Sequence, residues 1–146
     1  MQGHLHRALG DLAASTGWFA YDAGQHDRAR SWWDTALRYA LLARDPLLQA
    51  RIWSYMARQA CDLGHGGEAV AIARAALDAT RNRRRARLSA LLHARVALGH
   101  AVDGRGARCG QSLRRAEQSL DLDDTHPDPW LAFVGPYELL GQAALS

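Results

Sequence analysis

Residues Trp53 to Leu77 read WSYMARQACDLGHGGEAVAIARAAL, and this stretch decides the fold. Gly64 stands near its middle, with Ala57 seven residues before it and Ala69, Ala73 and Ala76 five, nine and twelve residues after it. The same columns recur 40 residues away in both directions: Gly17, Gly24, Ala29, Trp33 and Ala36 on one side, Ala97, Gly104, Cys109, Leu113 and Ala116 on the other. A fixed period of this size marks a repeat architecture in which each copy is one supersecondary unit. The glycine column reads as a helix stop, because glycine takes the left-handed conformation after a helix without the steric penalty of a Cβ. Small residues on both sides of the stop let two helices fold back on each other closely, with Trp33 or Leu113 filling the remaining space. The unit is a helical hairpin.

Punctuation elsewhere agrees. Asp45-Pro46 offers an N-cap followed by a proline at the first helical position, where its missing N–H costs nothing. Asn82 and the arginine run from Arg81 to Arg87 separate the second hairpin from the third, and Asp121 to Pro129 is a polar, proline-rich linker. Helices are expected over about 4–23, 26–43, 46–63, 66–80, 85–103, 106–120 and 136–146, with no strand, since no run alternates with period two. The expected fold is all-α: a right-handed α-solenoid of antiparallel helical hairpins with about seven helices in one domain. The hairpins fall at about 4–43, 46–80 and 85–120, and a partial repeat at about 129–146. Trp33, Trp53, Leu77 and Leu113 are the expected core.

The composition suits this. A chain of 146 residues and 16.0 kDa, 48% hydrophobic and 23% charged, is sized for one packed domain. No apolar run is long enough to span a bilayer and the first residues lack the order of a signal peptide, so a cytoplasmic location is expected. Cys61 and Cys109 are too few for a disulfide framework. All 18 basic residues are arginine, spread along the chain against 15 acidic ones for a net charge of +3. A DNA-binding footprint would concentrate them on one stripe. The run at Arg81, Arg83, Arg84, Arg85 and Arg87 has no interleaved aromatic for base stacking and reads as a solvated turn.

The pattern of small residue, glycine, alanine, aromatic and alanine at fixed offsets resembles the tetratricopeptide repeat, although that repeat has a period of about 34 residues. The middle unit matches best, through Trp53, Met56, Ala57, Ala60, Gly64, Ala69, Ala73, Ala76 and Leu77. In the third unit His93, His100 and Cys109 depart from it. Tyr137 to Gly141 resembles the start of a fourth unit cut short, which suggests a fragment or a capping helix. More narrowly, Ala14 to His26, Tyr55 to Ala60 and Leu63-Gly64 resemble the C-terminal repeat domain of actinobacterial helix-turn-helix transcriptional regulators of the XRE type. The resemblance implies a non-catalytic domain that binds a peptide, protein or small signal in its concave groove or dimerises through its ends. DNA would be bound only through an N-terminal domain outside this chain. A free-standing adaptor or small-molecule-binding repeat protein with no DNA role is the alternative, and a helix-turn-helix reading frame upstream of Met1 would separate the two.

By analogy with tetratricopeptide grooves, the inward positions select Asp11, Ser15, Trp18, Tyr21 and Asp22 from the first unit, Arg51, Tyr55, Arg58 and Asp62 from the second, and Leu91, Arg95, Leu98 and Ala101 from the third. Tyrosine, tryptophan and arginine are the residue types that anchor interfaces, and arginine holds a carboxylate with two parallel bonds. The competing expectation is that Arg58 pairs within the chain, with Asp22 or Asp62, and that Trp18 is packing. Other chemistry is not expected. His93 and His100 are two helical turns apart, too far to ligate one ion without a third residue between them, and no cofactor or metal is expected. The glycine clusters at Gly64 to Gly67 and Gly104 to Gly110 follow no strand and read as turns rather than phosphate loops. Both thiols fall at helix-packing positions, and no nucleophile–base–orienter set can be assembled, so an enzyme is not expected. Trp32 should point away from the hairpin partner that Trp33 faces, which makes it a candidate contact for another chain.

Overall fold

The structure, a computed structural model, describes residues 2–82 and 85–120. Over these residues the chain is all-helical: α1 (Gln2–Asp22), α2 (His26–Leu42), α3 (Pro46–Asp62), α4 (Gly66–Ala79), α5 (Ala86–Val102) and α6 (Gly106–Leu120), with no strand among them. The helix expected at 136–146, the linker before it and the partial repeat at 129–146 lie outside the described residues. Among the described residues no helix is long and apolar enough to cross a membrane.

The turns follow from the glycine column. Gly24, Gly64 and Gly104 take φ of 77°, 81° and 75°, the left-handed region. Each closes the same pair of bonds after its helix. The Gly24 N–H donates to Tyr21 O at 2.9 Å and that of Gln25 to Ala20 O at 2.8 Å; the Gly64 and His65 N–H groups do the same to Cys61 and Ala60, and those of Gly104 and Arg105 to Ala101 and His100. This is the Schellman closure, which satisfies carbonyls that the helix end would leave open. The α2–α3 junction uses it without glycine. Arg44 sits at φ 51° and its N–H donates to Leu41 O at 3.1 Å, while that of Asp45 donates to Ala40 O at 3.1 Å. Arg44 lies 20 residues from both Gly24 and Gly64, so helix plus turn repeats every 20 residues at this end of the chain. Asp45 then caps α3, its Oδ1 accepting from Leu48 N at 3.0 Å, with Pro46 behind it as expected.

Consecutive helices pack on each other, and α1, α3 and α5 also touch in series. On α1 the buried face is Gly10, Ala13, Ala14 and Gly17, against Ala29, Trp33, Ala36 and Ala40 of α2. Trp33 is 0% exposed and fills the space over Gly17, where a Cβ would run into the indole; its Nε1 donates to Ala14 O at 3.3 Å. A second cluster joins Ala57, Ala69, Ala73, Ala76 and Leu77 to Leu88, Leu91, Leu92 and Val96 of α5. Trp33 and Leu77 are core residues, as expected. Trp53 and Leu113 are only half-buried. Trp53 lies along the seam between the two clusters, with part of its ring in water. On α6 only Ser112 and Ala116 are buried, so Leu113 lacks neighbours on its outer side among the described residues.

Candidate functional site

The residues selected as groove positions on α1 and α3 meet in two linked clusters. In the first, Arg51 of α3 reaches across to α1, where its Nη1 pairs with Asp11 Oδ1 and its Nη2 donates to Ser15 Oγ at 3.0 Å; its Nε donates to Tyr55 Oη at 3.0 Å. Arg51 is 8% exposed. Burial works against its charge, yet Tyr55 and Asp11 outweigh that penalty and hold its pKa above the ordinary value. In the second cluster, the Tyr21 hydroxyl donates to Asp62 Oδ2, and Arg58 Nε lies 3.5 Å from Asp62 Oδ1. Burial, and then the bond and charge of Asp62, push the Tyr21 phenol up to about 12, against the smaller opposing charge and hydrogen bond of Arg58. It is a hydrogen-bond donor at any physiological pH.

An aromatic strip joins the clusters. The Trp18 ring lies 5.1 Å from Tyr21 and 5.0 Å from Tyr55, and Trp33 lies 5.9 Å and 5.8 Å from the same two rings beneath. Tilted contacts at these distances are favourable arrangements for ring quadrupoles. The repeat period becomes a contact rule here. Asp11 and Arg51 are 40 residues apart, Tyr21 and Asp62 are 41 apart, and Arg95 Nε donates to Ser54 O at 3.1 Å across the same offset of 41. Equivalent positions on successive odd-numbered helices therefore sit side by side.

The α5 residues are placed differently from those of α1 and α3. Leu91 and Leu98 belong to the core cluster, Arg95 is 4% exposed, and Ala101 is half-buried. Asp22 is exposed at the end of α1 and joins neither cluster. Arg58 thus approaches Asp62 rather than Asp22, and Trp18 is half-buried in packing while one side remains accessible. The separation of 3.5 Å is loose for a charge-assisted bond, and Arg58 Nε finds no hydrogen-bond acceptor among the described residues.

Three features escaped the sequence. Gln59 ties α3 to α2, its Nε2 donating to His26 O at 3.0 Å. Gly66 and Gly99 bring the backbones of α4 and α5 together, each occupying space a Cβ would need. His100 is buried, with Nδ1 making no hydrogen bond among the described residues; burial, and then Arg74, Arg105 and Arg108, hold its pKa below the ordinary value. Its signal was visible in the repeat columns, where His100 takes the place of Ala20 and Ala60.

Two shallow depressions open at the first turns of α2 and α6, about 470 Å³ at Gly24 to Arg28 and about 450 Å³ at Arg105 to Arg108, and neither is lined by a residue of the two clusters. Burial pushes the Cys61 thiol up to about 11 and raises that of Cys109, the reverse of what an activated thiolate needs. Among the described residues no three histidine, cysteine or acidic side chains converge to hold a metal ion. Set against protein-family models, curated proteins and solved structures, the chain matches none.

Proposed function

We propose that this chain is a tetratricopeptide-like α-solenoid serving as a non-catalytic interaction or signal-sensing domain of a bacterial transcriptional regulator. In this reading the surface shared by α1 and α3 receives a peptide or small ligand carrying a carboxylate beside an apolar group, and the event reaches an attached DNA-binding domain through altered packing or self-association. The observation that carries it is Arg58. Its guanidinium bonds the Tyr21 hydroxyl, lies 3.5 Å from Asp62 and keeps a buried Nε–H without an acceptor among the described residues, while Tyr21 in turn packs on Trp18. A ligand carboxylate that displaced Asp62 would gain a charge-assisted bond while Tyr21 kept its own donor available. Arg51, committed to Asp11, Ser15 and Tyr55, acts as the brace that fixes α1 against α3.

The test is calorimetric titration of the chain with a pool of short peptides that end in a free carboxylate after an aromatic or leucine residue. Binding is expected for the wild type and lost in Arg58→Ala, with the thermal midpoint retained because Arg58 is partly exposed. Binding that ignores Arg58 would move the function away from this surface.

A further inference from the structure

α1 carries an apolar stripe on the side opposite α2: Leu5, Ala8, Leu12, Thr16 and Phe19. Leu5, Leu12 and Phe19 are 58%, 65% and 70% exposed and share one face of the helix, an apolar patch rather than scattered single residues. Thr16 does not make the stripe polar, since its hydroxyl donates to Leu12 O at 2.8 Å within the same helix.

The repeat shows what such a stripe is for. Forty residues on, the same columns hold Leu48, Ile52, Met56 and Gln59, and forty further on Leu88, Leu92, Val96 and Gly99; all eight are buried. Leu48, Ile52 and Met56 pack on the α1–α2 pair, and Leu88, Leu92 and Val96 on the α3–α4 pair. In α3 and α5 this face is therefore the socket for a preceding helix. Among the described residues α1 has the socket and nothing in it.

The spacing names an occupant. Leu5 lies seven residues before Leu12 and Phe19 seven after it, so the stripe is symmetric about Leu12, and a seven-residue apolar period is the one that keeps two helices side by side. Turned antiparallel on a second copy, Leu12 meets Leu12, Leu5 meets Phe19 and Ala8 meets Thr16. Charge fits the same arrangement. Asp22, ten residues after Leu12, comes opposite Gln2, ten before it, at a helix N-terminus that has no acidic residue in its first turn. A carboxylate is favourable there. Finally, α1 starts four residues earlier in the repeat than α3 and α5, and this extra turn, Gln2 to Leu5, is wholly exposed. It carries Leu5, and no described residue of this chain covers it.

We propose that two copies of this chain associate through α1, packed antiparallel about a two-fold axis at Leu12. The three large side chains offer on the order of 350 Å² of apolar surface per copy, below the ~800 Å² per partner of a standard interface, so the association is weak and depends on concentration. The inference sharpens the end-association part of the proposed function. It fails separately from the ligand surface, because Leu12 touches neither cluster.

Sedimentation of the whole chain from about 1 to about 500 µM should show the mass doubling, and Leu12→Glu, at an exposed position, should raise the half-association concentration at least about tenfold with unchanged helicity. Oxidation locates the contact. In a Cys109→Ser background, which leaves Cys61 buried, Leu12→Cys should form an interchain disulfide and Thr16→Cys should not, because two Thr16 positions lie about 12 Å apart along an antiparallel pair. A monomer throughout the range overturns the proposal. So does a dimer indifferent to Leu12→Glu, or one cross-linked equally well at both positions, the outcomes of head-to-tail and parallel association. If the chain is monomeric while peptide binding through Arg58 persists, the ligand surface stands and the dimer falls.

Discussion

Gly66→Ala and Gly67→Ala place one methyl group on adjacent residues of the first turn of α4, and the structure expects opposite results. At Gly66 the new Cβ would be driven into the Gly99 carbonyl oxygen and would come 2.5 Å from Asp103 Oδ1. The reciprocal Cβ on Gly99 would lie 2.8 Å from Gly66 O and 2.7 Å from Val70 Cγ2. Ordinary contact begins at 3.4 Å, and Gly99 O is backbone inside a helix, so α4 and α5 must separate by more than half an ångström along a packed seam. Overpacking of this kind costs about 1–3 kcal/mol, against a helix-propensity gain of at most about 1 kcal/mol that is smaller in a first turn. At Gly67 the nearest atom to the new Cβ is Asp103 Oδ2 at 3.6 Å, so the propensity gain stands alone. Denaturant unfolding should therefore show Gly66→Ala losing about 1–2 kcal/mol and Gly67→Ala gaining up to about 0.5 kcal/mol. In thermal scans the two should differ by roughly 4–10 °C, at about 4 °C per kcal/mol for a domain of this size. Equal midpoints for the two variants would refute the close approach of α4 and α5.

Other outcomes follow from the same geometry. Trp33→Ala should cost about 3–5 kcal/mol in denaturant unfolding, since the indole is fully buried and bonded to Ala14 O; a loss under about 1 kcal/mol would contradict its place in the core. His100 is held neutral in the folded chain, with its pKa below the ordinary 6.5, so the unfolded chain binds the extra proton. Stability should be level above pH 6.5 and decline as pH falls below it, and His100→Leu should remove that part of the decline; superimposable pH profiles would show the imidazole to be hydrated instead. Alkylation by iodoacetamide at neutral pH should be slow for both thiols and slower for Cys61, which is buried and pushed up to about 11, than for half-buried Cys109. Mass spectrometry finding Cys61 modified first would mean that α3 opens more readily than its packing allows.

The fold was legible where a backbone requirement leaves its mark on residue type. A left-handed residue after a helix strongly favours glycine, so three of the turns were visible as Gly24, Gly64 and Gly104, and Asp45-Pro46 announced the start of α3. Arg44 adopts the same conformation and left no such mark, which is why the sequence showed a 40-residue period and not the 20-residue one. The candidate site was legible on α1 and α3, because position within the repeat selects which residues share a surface: Asp11, Ser15, Trp18, Tyr21, Arg51, Tyr55, Arg58 and Asp62 do meet. It failed on α5, where the same positions hold Leu91, Arg95 and Leu98 and are closed over.

By itself, then, the sequence determined the helices, where they stop and which faces are apolar, since these depend on local conformation and on periodicity within one helix. Only the tertiary structure decided which faces are covered. Leu12, Ile52 and Leu92 are equivalent in the repeat, yet two are fully buried and one is 65% exposed. The difference is whether another helix among the described residues packs against that face, and that is a property of neighbours distant in the chain. The same holds for Arg51 and Arg58. Both are arginines on one face of α3, but Asp11, Ser15 and Tyr55 all bond the first, while the second shares Tyr21 and Asp62 and keeps its Nε–H without an acceptor among the described residues.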